Sequence, residues 1–251
     1  MNSKLELYHG LASTCSKKVR LCLYEKGLEF TSHLLDLQSF EQHSPDYLKL
    51  NPNGVVPTLV HDGVPIVESN VIIEFIDDEF PQSPLRPADS HGRARMRWWI
   101  QFSENVAYDA VALPTWVKIS APAARALSDE DLKQVLARIP THERRERWAR
   151  VARDGVPQED IEQCYVQMDR ILTQAEQALA RGPWLAGETY SLADIAMIPF
   201  IDRTHNLRPD LCGPQRYPGV AEWYRRLRAR PAFARAFDFR DDPRVQGLPN
   251  I

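Results

Sequence analysis

The sequence predicts an α+β fold in which a small mixed-sheet domain precedes an all-helical one. Three observations carry this reading. Residues 1–81 alternate strand-like and helix-like patterns in the order βαβ then ββα; residues 82–89, QSPLRPAD, form a Pro-rich linker; and residues 90–251 are helical in pattern, with a charged insertion near 120–157. Hydrophobic periodicity separates the halves, because two-residue alternation marks strands and 3.6-residue recurrence marks helices.

In the first strand, Leu5 and Leu7 alternate with Glu6 and Tyr8. A small-residue turn, Gly10 to Thr14, leads into a helix expected to open at Cys15-Ser16 and to stop at Gly27. Helix starts leave N–H groups unpaired and carry partial positive charge, so they attract anions. A hydroxyl or thiol there either donates to a bound thiolate or ionises more easily itself. Ser13, Thr14, Cys15 and Ser16 are therefore all candidates for activating a sulfur, while Cys22, two turns on, is expected to be a small buried packer.

Phe30 to Leu37 reads as the second strand, followed by a polar turn at Gln42 to Pro45 and a short helical turn over Asp46–Leu50. Asn, Gly and Pro punctuate the loop Asn51 to Pro57, which runs directly into strand Thr58-Leu59-Val60. His61-Asp62-Gly63 predicts a hairpin, with Pro65-Ile66-Val67 pairing back. Glu68-Ser69-Asn70 caps the next helix, whose stripe of Ile72, Ile73, Ile76 and Phe80 is closed by Pro81.

In the helical half, Asp89 caps a long helix carrying Trp98, Phe102 and Tyr108, expected to break near Pro114. The charged stretch around His142–Arg147 is expected to be a solvated helix face. Ile161, Cys164, Met168, Leu172, Ala175 and Leu179 mark an amphipathic helix. Tyr190-Ser191-Leu192-Ala193-Asp194 is a capping box with Asp in place of Glu, to which no chemistry is assigned. Val220–Leu227 and Pro231–Phe237 supply two last helices, and the polar tail from Asp241 to Ile251 is expected at the surface or folded back over the site.

With 251 residues the chain has enough length for a substantial core. Its 31 basic and 34 acidic side chains leave a net charge of -3, which argues against nucleic acid or an anionic membrane as partner. No apolar run approaches a membrane span, and the N-terminus reads as a strand pattern rather than a signal peptide, so a cytoplasmic location is expected. Cys15, Cys22, Cys164 and Cys212 lack CxxC spacing, so neither a metal site nor a disulfide framework is expected.

The unit order, the Val56-Pro57 pair, the Glu68-Ser69 pair, the Pro-rich linker and the Ser191–Asp194 box together resemble the glutathione transferase superfamily across essentially the whole chain. That resemblance implies a thioredoxin-like domain binding glutathione as co-substrate, a helical domain shaping the acceptor pocket, and a homodimer. It implies that Pro57 is a cis-proline turning the Val56 backbone toward the cysteinyl part of glutathione. Glu68 and Ser69 would then hold the γ-glutamyl end, and His43 would lie near the glycyl carboxylate.

Leu23–Phe30 (LYEKGLEF), Phe40–Ser44 (FEQHS), the Leu85–Asp89 linker, Ser128–Asp131 and Asp154–Asp160 are similar to the bacterial β-aryl etherases of lignin breakdown, including their charged insertion. The match departs at Cys15, where those enzymes suggest Asn. Ser13-Thr14-Cys15-Ser16 also resembles the tetrachlorohydroquinone reductive dehalogenases, and STCSKKVR resembles the ganglioside-induced differentiation-associated proteins. The implied activity is glutathione-dependent cleavage of β-aryl ethers of an aromatic small molecule, with Trp98, Phe102, Tyr108 and Trp116 as candidate pocket residues. Thiol transfer or reductive dehalogenation through Cys15 is the alternative on the same fold, and a non-catalytic binding protein is the alternative of another class. The acceptor, its stereochemistry and homo- versus heterodimerisation stay open.

Overall fold

In the computed structural model, which describes residues 4–238, four strands make one mixed sheet: β1 (Leu5–His9), β2 (Thr31–Leu34), β3 (Thr58–His61) and β4 (Val64–Ile66), ordered β2-β1-β3-β4. β1 runs parallel to β2 and antiparallel to β3, with Leu7 opposite Ser32 on one side and Leu59 on the other. A parallel neighbour needs a crossover, and helix α1 (Thr14–Glu25) supplies it. Asp62 and Gly63 turn the β3-β4 hairpin with φ of 48 and 84; positive φ at both central residues matches the twist of a tight hairpin. Helices α2 (Pro45–Leu50) and α3 (Ser69–Glu79) complete this half.

β2 is shorter than the expected Phe30–Leu37. Its partner β1 ends opposite Leu34 at His9, and at Gly10 the chain leaves the sheet. α1 begins one residue earlier than expected, because Ser13 rather than a later residue caps it, accepting from the Ser16 N–H at 3.2 Å.

The helical half contains α4 (Ser90–Phe102), α5 (Tyr108–Thr115), α6 (Ala121–Ala126), α7 (Asp129–Arg138), α8 (His142–Ala149), α9 (Gln158–Leu179), α10 (Leu192–Leu207), α11 (Pro218–Arg228) and α12 (Pro231–Phe237). Asp89 caps α4 by accepting from the Gly92 N–H at 2.8 Å. The regular α-helix ends next to Pro114, at Thr115, as expected, although the chain does not leave the helical path. Pro114 lies inside α5, and the chain runs on through a π-helical turn, Trp116–Ser120, into α6. Proline lacks the N–H that a regular turn would use, and a wider turn accommodates the mismatch.

α10 is buried along its length from Leu192 to Thr204 and forms the axis of this half. The capping box is present, and the Asp194 carboxylate also accepts from the Leu185 N–H at 3.0 Å and Trp223 Nε1 at 2.8 Å. Burial pushes Asp194 up to about 6 despite these donors.

The charged insertion is held down by apolar residues outside its charged run. Phe40, Ala124, Leu132, Ile139, Trp148 and Ala152 form a hydrophobic cluster of their own. The ring of Trp148, on α8, meets Phe40 edge-on with centroids 5.1 Å apart. One apolar residue at the right helical position is enough to dock an otherwise charged helix: α8 packs through Trp148, while none of His142–Arg147 is buried, in line with the expected solvated run.

α1 carries three cations, Lys17, Lys18 and Arg20, that are all buried. Charge removed from water must be paired. Lys17 reaches Asp202 on α10 at 3.1 Å, and Lys18 reaches Ser69 Oγ at 3.1 Å and Asn70 Oδ1 at 2.6 Å. Arg20 donates to the Gly10, Leu11 and Ala236 carbonyls. Thus α1 is clamped on one side to α3 and on the other to α10 and α12. No helix among the described residues is long and apolar enough to cross a membrane. The expectation for Asp241–Ile251 lies outside the described residues.

Candidate active site

A cleft of about 660 Å³ lies between the two halves. Its floor comes from the sheet side, where Ser13, Thr14, Cys15, Val56, Pro57, Glu68 and Ser69 all line it. The Val56-Pro57 peptide is cis, as the resemblance implied. Its opposite wall comes from α5, the π-turn and α8, with Tyr108, Thr115, Trp116, Arg144, Arg147 and Trp148.

At the floor, the Thr14 and Ser69 hydroxyls and the Lys18 ammonium lie close enough to the Cys15 sulfur to favour its ionisation. Desolvation outweighs these effects and the Glu104 carboxylate adds to it, so the Cys15 thiol is pushed up from its ordinary value. Cys15 is therefore a neutral thiol at physiological pH. Lys18 itself is lowered by burial. Glu68 holds φ of 68 and ψ of 111 at the entrance to α3; a non-glycine residue there is strained and persists only when its surroundings fix it.

Ser16 behaves differently from its three neighbours. It is fully buried, does not line the cleft, and accepts from the Gly10 N–H at 3.2 Å. It braces the loop from behind, because the side chain at the third position of α1 has turned toward the sheet. His43, expected near the glycyl carboxylate, is buried as well. It is 2% exposed, stacks near Phe40 and does not line the cleft. Burial, reinforced by nearby Arg144, pushes its pKa down to about 4, so it is neutral.

The expected aromatic pocket divides in two. Tyr108 and Trp116 line the cleft, whereas Trp98 and Phe102 do not. Trp98 stacks on Phe102 at 4.9 Å on the outer face of α4 and is 48% exposed. The π-helical turn Ser103–Ala107 separates Phe102 from Tyr108 and changes which face each presents. Sequence reasoning missed Trp148, which stacks on Trp116 with centroids 5.6 Å apart, and it missed Arg144 and Arg147, whose guanidinium carbons lie 5.9 and 5.4 Å from the Trp116 ring centre. The Arg144, Arg147, Trp148 spacing places all three on one helix face, a signal hidden inside a run of charge.

Burial raises the Tyr108 hydroxyl, with Cys15 and Glu104 contributing, so it remains a proton donor at neutral pH. Chemically the cleft combines a helix start with hydroxyl donors, a cis-proline strand edge, and an aromatic wall carrying a phenol and two guanidiniums. Among the described residues no cluster of His, Cys, Asp or Glu is placed to hold a metal ion.

Two family models match: the glutathione S-transferase N-terminal domain over residues 12–79 and the glutathione S-transferase C-terminal domain over residues 158–226. Protein LigF of Sphingobium sp. strain SYK-6 is 35% identical, the match covering 93% of each chain. The crystal structure of beta-etherase LigF from that strain superposes with a TM-score of 0.88 at 34% identity, covering 94% of this chain and 99% of that one. Tetrachloro-p-hydroquinone reductive dehalogenase of Sphingobium chlorophenolicum is 27% identical over 93% of this chain and 95% of its own.

Proposed function

The chain belongs to the glutathione S-transferase family, and from that premise we propose that it cleaves β-aryl ethers of aromatic compounds with glutathione as the attacking thiol. The observation that carries the proposal is the meeting, in one cleft, of the α1 start with the Tyr108–Trp116–Trp148 wall. The likeness to beta-etherase LigF over nearly the whole chain supports the same reading.

In this mechanism Glu68 and Ser69 take the γ-glutamyl ammonium and carboxylate, and the Val56 backbone pairs with the cysteinyl unit. A free thiol has a pKa of about 8.5, and the α1 start with the Ser13 and Thr14 hydroxyls holds it as thiolate. The sulfur attacks the carbon bearing the aryl ether. A C–S bond forms, the C–O bond breaks, and the electron pair leaves on the phenol oxygen. Tyr108, kept protonated, is placed to donate to that oxygen as charge develops. The products are a glutathione thioether and a phenol. Because the Cys15 thiol is held neutral, its role is to pack and to donate, not to attack.

The assembly proposed is a homodimer through α3 and α4, which Asn70 joins by donating to the Ile100 carbonyl at 2.9 Å. Val71 and Trp98 leave 55% and 48% of their surface exposed on these helices, and large exposed apolar groups mark interfaces.

The test is phenol release from a β-aryl ether model compound with and without glutathione, using the intact protein, Cys15→Ser and Thr14→Val. Release that needs glutathione, survives Cys15→Ser and falls with Thr14→Val supports the proposal. Glutathione-disulfide exchange that disappears with Cys15→Ser, without phenol release, would replace it with thiol transfer.

A further inference from the structure

The charges lining the cleft are arranged unevenly. Five carboxylates, Asp36, Glu68, Glu104, Asp109 and Glu143, face two cations, Arg144 and Arg147, both on α8. The cations of α1 do not line it, since Lys17, Lys18 and Arg20 are buried and paired behind the floor. Among the described residues that line it, an anionic group entering the half of the cleft away from α3 therefore meets positive charge only from the insertion.

Of the two, Arg144 is the one with unused capacity. Arg147 Nη2 already donates to Glu143 Oε1 at 2.9 Å. Arg144 Nε is buried with no hydrogen-bond partner, and the same is true of two other lining atoms, Gln42 Oε1 and Thr115 Oγ1. Buried polar atoms are nearly always satisfied, so orphaned ones in the wall of a cleft mark where a ligand's polar groups belong. Guanidinium is a fork of donors matched to a carboxylate.

The location follows from packing. A Cβ added at Gly54, in the loop before Val56, would lie 2.8 Å from His43 Cδ2 and 3.2 Å from Pro140 Cδ. Pro140, just before α8, thus seats the insertion directly on the loop at the His43 end of the cleft. His43, expected there as the partner for a carboxylate, is walled off and neutral.

We propose that Arg144, brought over the cleft by the inserted helix α8, binds a ligand carboxylate in the half of the cleft away from α3. The inference rests on the glutathione-site reading above. Two carboxylates fit this chemistry: the glycyl end of glutathione, or an acid substituent on the aromatic acceptor. In either case the insertion contributes directly to ligand affinity and is not merely a cover.

The test measures equilibrium binding by quenching of tryptophan fluorescence, independently of turnover. Ligands are glutathione, its glycyl monoethyl ester, phenoxyacetate and methyl phenoxyacetate; proteins are the intact chain, Arg144→Gln and Arg144→Lys, matched by thermal melts. A charge-assisted hydrogen bond predicts glutathione Kd rising about tenfold or more in Arg144→Gln, with partial retention in Arg144→Lys and no change for the ester. Loss of the phenoxyacetate preference over its methyl ester, with glutathione unaffected, assigns the residue to the acceptor instead. Equal Kd values across the three proteins for all four ligands overturn the proposal. Failure of the intact chain to bind glutathione at all would sink the glutathione reading, and the phenoxyacetate pair then decides Arg144 alone.

Discussion

Arg203, in the buried middle of α10, donates from Nη2 to the Ala12 carbonyl at 2.6 Å, so the loop that opens α1 is held by the helical half of the molecule. From the other side Arg20 donates to the Gly10 and Leu11 carbonyls at 2.9 Å each. The segment carrying Ser13, Thr14 and Cys15 is therefore suspended between two guanidiniums. Its position depends on how the two halves dock.

Replacing Arg203 with Met keeps volume and removes that donor. Loss of a charge-assisted bond should lower stability by about 1.5–3 kcal/mol. Small displacement of a catalytic group is also costly, so kcat/KM for glutathione conjugation should fall about tenfold or more. Denaturant melts and steady-state kinetics check both. A melt that shifts while kcat/KM holds would mean that the loop does not need Arg203 for its position.

Ser16 and Thr14 should separate cleanly. Ser16→Ala removes the acceptor for the Gly10 N–H and should cost about 1–3 kcal/mol, read in the melt. Thr14→Val keeps shape but removes a hydroxyl in the cleft and should raise the pH at which half the bound glutathione is ionised. Thiolate absorbance titrated against pH distinguishes the two variants.

Cys15 should resist alkylation. Its raised pKa leaves little thiolate at neutral pH. Mass spectrometry should find iodoacetamide labelling of Cys15 slow at pH 7 and still rising above pH 9. Complete labelling at pH 7 within the time taken by a free thiol would contradict the neutral-thiol assignment.

His43 should leave a mark on acid stability. Its folded pKa of about 4 lies below the unfolded value of 6.5, so between these pH values the unfolded chain binds the extra proton. Stability should consequently fall as pH drops from 6.5 to 4, by up to about 3 kcal/mol from this group. Urea midpoints of His43→Gln should show a flatter dependence over that window. An unchanged slope would indicate that His43 charges freely in the folded state.

Trp98→Glu should convert the proposed dimer to a monomer, because it replaces one of the large exposed apolar groups of α3 and α4, Val71 being the other, with a charge. Light scattering on a sizing column gives the mass directly. A variant that stays dimeric would move the interface elsewhere.

The element order, the hairpin at Asp62-Gly63 and the Ser191–Asp194 box were legible from sequence because each is set by residues within a few positions. Local backbone preferences and short-range hydrogen bonds decide them, and these are written in adjacent letters. The family resemblance extended that reading to the cis Val56-Pro57 peptide and to Glu68 and Ser69, which line one cleft with it.

What only the tertiary structure decided is the fate of the charged and aromatic side chains. Lys17, Lys18 and Arg20 are buried because their acceptors come from Asp202, Ser69 and Ala236, far away in the chain, and nothing in the adjacent sequence signals those partners. Trp98 and Trp116 look alike in sequence, yet π-helical turns on either side of α5 turn one outward and the other into the cleft. Arg144 sits in a stretch that composition marks as surface, and the docking of Trp148 on Phe40 brings it over the site. Hydrophobic periodicity reports that a face is buried but not what it is buried against. Burial and charge pairing between distant segments are properties of the docked halves, so they appear only when the fold is complete.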